Sequence, residues 1–204
     1  MATDTTKGQL TSDRILEAAF QLFVKQGFHG TSMRQIASQA GFTPASIYNH
    51  FENKEEIFLQ VLLRYHPYRE IVQSLEAAQG GTVEALVKDA ARRVISLVRS
   101  RKDLPHLMFI EMVEFNGGHV GELFARAVPQ AIKFLDKLQQ AQGTLRPIPP
   151  ESLLITLMGT LISQWMIEGL LSANTVMPLP SNQFEQAVDI YLHGILARQG
   201  EPNE

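Results

Sequence analysis

AGFTPASIYNHFENK, residues 40–54, marks the boundaries of three helices within fifteen positions. Gly41 ends the first, because a glycine takes the left-handed conformation after a helix without a Cβ penalty. Thr43 is the N-cap of the second, and Pro44 follows at the first helical position, where its missing N–H costs no hydrogen bond. Phe42, just before the cap, can staple to Ile47 at the fourth helical position. Asn53-Lys54-Glu55-Glu56 reads as the capping box of the third, which leaves the middle helix seven residues. On so short a helix Ile47 points inward, joined by Phe51 one turn later. The opposite face carries Ala45, Tyr48 and Asn49 at i, i+3 and i+4, with Pro44 and Ser46 near the exposed N-terminus.

Upstream, Ser12 is a good N-cap for a first helix with Asp13 in its first turn. Its apolar stripe is Ile15, Ala19, Leu22 and Phe23, and Gly27 ends it. The next helix begins at Thr31 or Ser32 and carries Met33, Ile36, Ala37 and Ala40 on one face. Downstream, the helix from Lys54 bears Ile57, Phe58, Val61 and Tyr65 until Pro67 ends or kinks it. Further helical segments are predicted over 82–99, 104–116, 120–142 (broken or bent at Pro129) and 152–172. Loops are predicted at GTLRPIPPE, 143–151, and MPLPS, 177–181. A last helix starts at Asn182, with Glu185 as its capping-box partner, and ends before Gly200. No β-branched alternating run interrupts this pattern. The fold class is all-α: an N-terminal three-helix helix-turn-helix domain over residues 1–58, followed by a larger helical domain over 59–204.

Composition narrows the functional classes. The chain has 204 residues, 45% of them hydrophobic and 19% charged, as in soluble globular proteins. It has no cysteine, so it offers neither a disulfide framework nor a thiolate metal site. The polar start MATDTTKGQL lacks the apolar core of a secretory signal. The longest uncharged apolar run, Leu153 to Ile167, has 15 residues, short of the ~18 that spanning requires. A cytoplasmic protein with no membrane partner is expected. Net charge is −3, and residues 1–54 hold five Lys/Arg against four Asp/Glu, a net of +1. Nucleic-acid binding therefore has to be argued from geometry rather than from bulk charge.

The geometry supports it. In a helix-turn-helix the helix after the turn lies in the major groove. A phenol such as Tyr48 can cover sugar or base edges while its hydroxyl donates to a phosphate oxygen. Small residues at Ala45 and Ser46 allow close approach to the bases. Ala45 can touch a thymine methyl, and Ser46 or Asn49 can hydrogen-bond base edges. Lys54 opposes the macrodipole at a helix N-terminus, a mismatch that a bound phosphate would reverse. Thr31 and Ser32 offer hydroxyls beside free N–H groups at another. The run TSMRQIASQAGFTPASIYNHFENKEEIF, 31–58, preceded by ILEAAFQLFVKQGFHG, resembles the N-terminal domain of TetR-family transcriptional regulators. Ala18-Ala19, Leu22-Phe23, Gly27, Thr31-Ser32, Ile36-Ala37, Ala40-Gly41, Tyr48, His50-Phe51 and Lys54 match the family pattern; Phe42 and Thr43 stand where Val and Ser are commoner. The resemblance is strong over roughly residues 12 to 60. It implies that Thr31, Tyr48, His50 and Lys54 meet the phosphate backbone or its vicinity and that Thr43, Ala45, Ser46 and Asn49 fall at base-reading positions. His50 can equally serve as a helix C-terminal cap.

The remainder is expected to dimerise and to bind a ligand. Residues 152–172 are apolar nearly all round, which implies burial on several sides. The last helix, within 182–198, carries Phe184, Val188, Tyr191 and Ile195. Two such helices from each subunit would form a four-helix bundle, as the resemblance also implies. The plainer alternative is that both helices complete a monomer core. The resemblance further implies a pocket for a small apolar or amphipathic effector. Met108, Phe109, Met112, Phe115 and Trp165 are its candidate lining, because methionine side chains adapt to varied ligands; ordinary core packing would use the same residues. His106, Glu111, Glu114 and His119 match no standard metal-ligand spacing. No cofactor, metal site or catalytic residue is expected. The sequence is thus read as a DNA-binding, ligand-responsive homodimeric repressor of a palindromic operator, against a helical ligand-binding module or an enzyme without DNA-binding activity.

Overall fold

The computed structural model describes residues 2–172 and 180–196, with side chains over 8–168 and 180–196. Within these lie α1 (Ala2–Gln26), α2 (Met33–Ala40), α3 (Pro44–Tyr48), α4 (Lys54–Tyr65), α5 (Tyr68–Glu76), α6 (Val83–Ser100), α7 (Leu104–Glu114), α8 (Val120–Gln140), α9 (Pro150–Ser172) and α10 (Gln183–Ile195). No strand occurs among the described residues, and the fold class is all-α as the sequence predicts. No helix of the described residues is long and apolar enough to cross a membrane. Residues 177–179 of the predicted MPLPS loop, positions 197–198 of the expected dimer segment, and the side chains of 169–172 lie outside the described residues.

The chain divides into two compact units, residues 1–67 with 103–124, and residues 68–102 with 125–204. In the first, α1 packs on α2 and α4, and α7 joins the same core. Ile15, Phe23, Ile36, Ile47, Ile57 and Phe58 are fully buried there. A cluster of rings completes it: Phe28 lies 5.6 Å from Phe23 and 4.8 Å from Phe115, which stacks on Phe58 at 4.8 Å. In the second unit, α6 packs against α5, α9 and α10. Tyr191 on α10 donates its buried hydroxyl to the Leu153 carbonyl of α9 at 2.8 Å. Burial raises the Tyr191 phenol above its ordinary range. Arg99 pairs with Glu168, and Lys88 bridges Glu84 and Asp189 at 2.8 and 2.9 Å.

Several elements differ from the sequence reading. Helix α1 starts at Ala2 rather than Ser12; no proline precedes Ser12, and Gly8 alone costs only about 1 kcal/mol in a helix. A separate helix, α5, follows Pro67. Pro129 sits inside α8 without breaking it; the residues around it are exposed, so the carbonyl it frees faces water. Asn182 makes no side-chain cap, because its backbone (φ −106°, ψ 16°) is not extended and the side chain cannot fold back over the first turn.

Helix α9 is also less enclosed than its composition implies. Leu153, Leu157 and Leu161 are buried, but Ile155, Ile162 and Met166 are 61%, 46% and 51% exposed. Gly159 falls on that open face, and a Cβ there would meet nothing within 4 Å. The same holds for Gly194 on α10, one turn from Ile190, itself 74% exposed.

Candidate nucleic-acid interface

Helices α2 and α3 are set by local hydrogen bonds. Ser32 caps α2 by accepting from the Gln35 N–H, and the Gln35 side chain accepts in return from the Ser32 N–H at 2.8 Å. Gly41 (φ 75°) closes α2 with paired bonds: its N–H donates to Ser38 and the Phe42 N–H to Ala37. Arg14 of α1 adds a bond from Nη2 to the Ala40 carbonyl at 2.9 Å, and its guanidinium lies over the Phe42 ring. The turn is therefore held at both the backbone and the side-chain level.

Thr43 Oγ1 accepts from the Ser46 N–H at 3.2 Å, and the two hydroxyls lie 2.8 Å apart. Helix α3 spans five residues rather than seven, because Asn49 already forms the C-cap. Ile47 accepts from both His50 and Phe51 N–H at 2.8 and 2.9 Å. Ile47 is 0% exposed and Phe51 is buried, while Ala45, Asn49 and His50 are exposed and Tyr48 is 58% exposed. The aromatic ring of Tyr48 thus stands in solvent beside two small residues. Asn53 caps α4 by accepting from Glu56 N–H at 2.8 Å, and the Glu56 carboxylate accepts from Glu52 N–H at 2.6 Å.

Two expected phosphate contacts point inward instead. Thr31 is 1% exposed, and its hydroxyl donates to the Gly27 carbonyl at 2.8 Å. Lys54 sends its ammonium to the carbonyls of Phe28 and Thr31 at 2.6 and 2.7 Å, 4.1 Å from the centre of the Phe28 ring. Burial lowers the Lys54 amine below the ordinary lysine range, opposed by Glu114. Two carbonyl dipoles and an aromatic face, rather than a phosphate, answer this cation. Ser32 and Thr43 stay at the surface, each engaged in its cap.

The candidate pocket residues fall in both units: Met108, Phe109, Met112 and Phe115 in the first and Trp165 in the second. Phe115 packs against Phe28, Phe58 and His119 in the first unit. Met108 is half-buried, whereas Phe109 and Met112 are mostly exposed. Trp165 lies half-buried in the second unit. A cleft of about 340 Å³ between α1 and α7 takes in Phe109, beside Phe23, Val24 and Pro105. Sequence reasoning overlooked Arg14 and Phe28, whose roles depend on contacts to distant segments. It also overlooked Gln35, which was legible: it stands three positions after Ser32, the spacing of a capping box.

Residues 15–61 match the model of bacterial regulatory proteins of the tetR family. The chain therefore resembles the tetR family over this N-terminal segment. Its TetR-type segment runs from α1 into α4 and includes every residue of the candidate interface. Over 108 residues the chain is 32% identical to the uncharacterized HTH-type transcriptional regulator YdgC of Bacillus subtilis (strain 168), covering 51% of this chain and 55% of that protein. Over 107 residues it is 37% identical to the HTH-type transcriptional repressor KstR2 of Mycobacterium tuberculosis, covering 45% and 53%. The chain thus spans about half the length of the curated relatives it matches. Among solved structures, a TetR family transcription regulator from Marinobacter aquaeolei VT8 superposes with a TM-score of 0.67 at 18% identity, covering 95% of this chain and 100% of that one. That likeness shows the shared fold. The two curated relatives are named as an HTH-type transcriptional regulator and an HTH-type transcriptional repressor.

Proposed function

We propose that this chain is a cytoplasmic, homodimeric transcriptional repressor of the TetR type that holds a palindromic DNA operator and releases it on binding a small apolar or amphipathic effector. Residues 1–58 carry DNA binding; residues 59–204 carry ligand binding and dimerisation. One observation carries the reading: a capped short helix presents Ala45, Tyr48 and Asn49 to solvent while Ile47 and Phe51 anchor it from behind. An exposed tyrosine flanked by small residues suits a groove better than it suits water. His50, exposed just past the helix end, and Ser32 at the α2 N-terminus lie where phosphates run alongside such a helix. Thr43 and Ser46 form the cap and supply hydroxyls at the base-reading end. The name of the KstR2 relative supports repression as the outcome.

An acid–base enzyme built on Glu111 and His119 is disfavoured. Glu111 is 0% exposed, and both of its carboxyl oxygens are engaged by His119, so neither is open to a substrate. The deciding experiment is selection of bound sequences from a random duplex library. A palindrome with half-sites about one helical turn (~34 Å) apart is expected, bound with an affinity that falls steeply as salt rises. Recovery of no sequence at low salt would defeat the proposal.

A further inference from the structure

The Glu111 carboxyl group is buried completely, far from the DNA-facing surface residues in sequence, and the DNA-binding role gives it no task. Its partners all lie in the turn between α7 and α8. Oε1 accepts from the His119 backbone N–H at 2.7 Å, and Oε2 lies 2.9 Å from His119 Nδ1. The Glu111 carbonyl accepts from the N–H groups of Phe115 and Gly117 at 3.2 and 3.1 Å. Asn116 and Gly117 take successive left-handed conformations (φ 52° and 75°) to complete the turn. One residue thus gathers four contacts and closes the loop on itself.

The closed turn holds the His119 ring in a fixed place. That ring lies 4.8 Å from Phe115 and 6.1 Å from Phe58, and Nε2 faces Glu55 Oε1 in the first turn of α4 at 3.7 Å. Lys54, the neighbour of Glu55, holds the carbonyls of Phe28 and Thr31 just before α2. A second tie runs in parallel, from Glu114 to His29 at 2.6 Å. The geometry points to Glu111 as a positioning residue for DNA binding: through His119 it fixes the start of α4, and through Lys54 the start of α2. Glu111 touches no DNA in this scheme. The inference rests on the function proposed above, although its structural half stands apart from it.

The test compares Glu111→Gln with Glu111→Leu in the full chain. Glutamine keeps an acceptor for the His119 N–H and can meet Nδ1 through its amide in the other imidazole tautomer. Leucine leaves both His119 groups without a partner. Glu111→Leu is expected to weaken operator binding about tenfold and Glu111→Gln less than about twofold. In the free protein, the backbone amide resonances of Ser32 and Lys54 should move in Glu111→Leu and return in Glu111→Gln. A merely local role would leave those resonances in place, and unchanged resonances with unchanged affinity would overturn the inference. If Glu111→Leu does not fold, His119→Asn serves. It keeps a donor for Glu111 but has nothing to face Glu55, so the Lys54 resonance should still move; an unmoved resonance counts against the clasp. If the wild type selects no duplex at all, the proposed function fails, while the resonances still decide the clasp.

Discussion

Lys54 and Tyr48 stand six positions apart, and their surroundings give them different work. Lys54 is turned toward two carbonyls, so its loss should register as stability. Lys54→Met keeps most of the stem and removes the donors, so the Thr31 carbonyl loses its ammonium partner and the Phe28 carbonyl keeps only the Thr31 N–H. A loss of about 1–3 kcal/mol is expected, read as a lower midpoint in urea unfolding. Tyr48 is turned toward solvent, so Tyr48→Ala should stay within about 0.5 kcal/mol of the wild type in that assay yet weaken operator binding at least about tenfold. Equal affinity of Tyr48→Ala for the selected operator would remove the main support for the interface. Gly41 belongs to the same scale. Its φ of 75° is left-handed, and an added Cβ would stand 3.0 Å from Arg14 Nη2. Gly41→Ala should cost about 1–2 kcal/mol from backbone strain alone.

Asp89 works at the level of a helix and the turn before it. Its carboxylate, on α6, accepts from Arg93 Nε at 2.7 Å and from the Gln79 backbone N–H at 2.9 Å. The Arg93 hydrogen bond, then that of Gln79, holds it below the ordinary aspartate range. A folded-state value below the unfolded one means that the unfolded chain binds more protons in between. The stabilisation is therefore present above the unfolded value, near 3.9, and is lost as pH falls through the folded value. Asp89→Asn should lower the thermal midpoint at pH 7, and the gap to the wild type should close below about pH 3. A constant gap across that range would show that the charge is irrelevant. At this scale the sequence was most legible where a signal is local. Gly41, Thr43, Pro44 and Asn53 mark boundaries through bonds to residues within a few positions, and all four act at those boundaries in the structure. Lys54 reaches carbonyls 23 and 26 positions away, and no periodicity encodes that reach. Asn182 has the right residue type for a cap, but the backbone conformation that a cap needs is not written in residue type. Helix α5 was missed because Pro67 signals the end of one helix and carries no information about the conformation of the residues after it.

The open face of α9 is a property of the whole molecule, because the described residues of one chain leave it uncovered. Ile155, Gly159, Ile162 and Met166 recur at i, i+4, i+7 and i+11 on that face, opposite the buried leucines. Its centre is a glycine whose missing side chain leaves empty space, as close approach of a second backbone would require. If the helix only completed a monomer core, this face would have no reason to be apolar. Gly159→Leu separates the two readings, since a Cβ there meets nothing within 4 Å among the described residues and the protomer should fold unchanged. A second copy seated on α9 would meet it directly. Sedimentation at micromolar concentration should then show wild-type dimers and variant monomers with the same helical content. Operator affinity should fall at least about tenfold in the variant, since a lone protomer engages one half-site. A Gly159→Leu protein that sediments as the wild type does would move the dimer contact away from this face and leave its apolar stripe without an account.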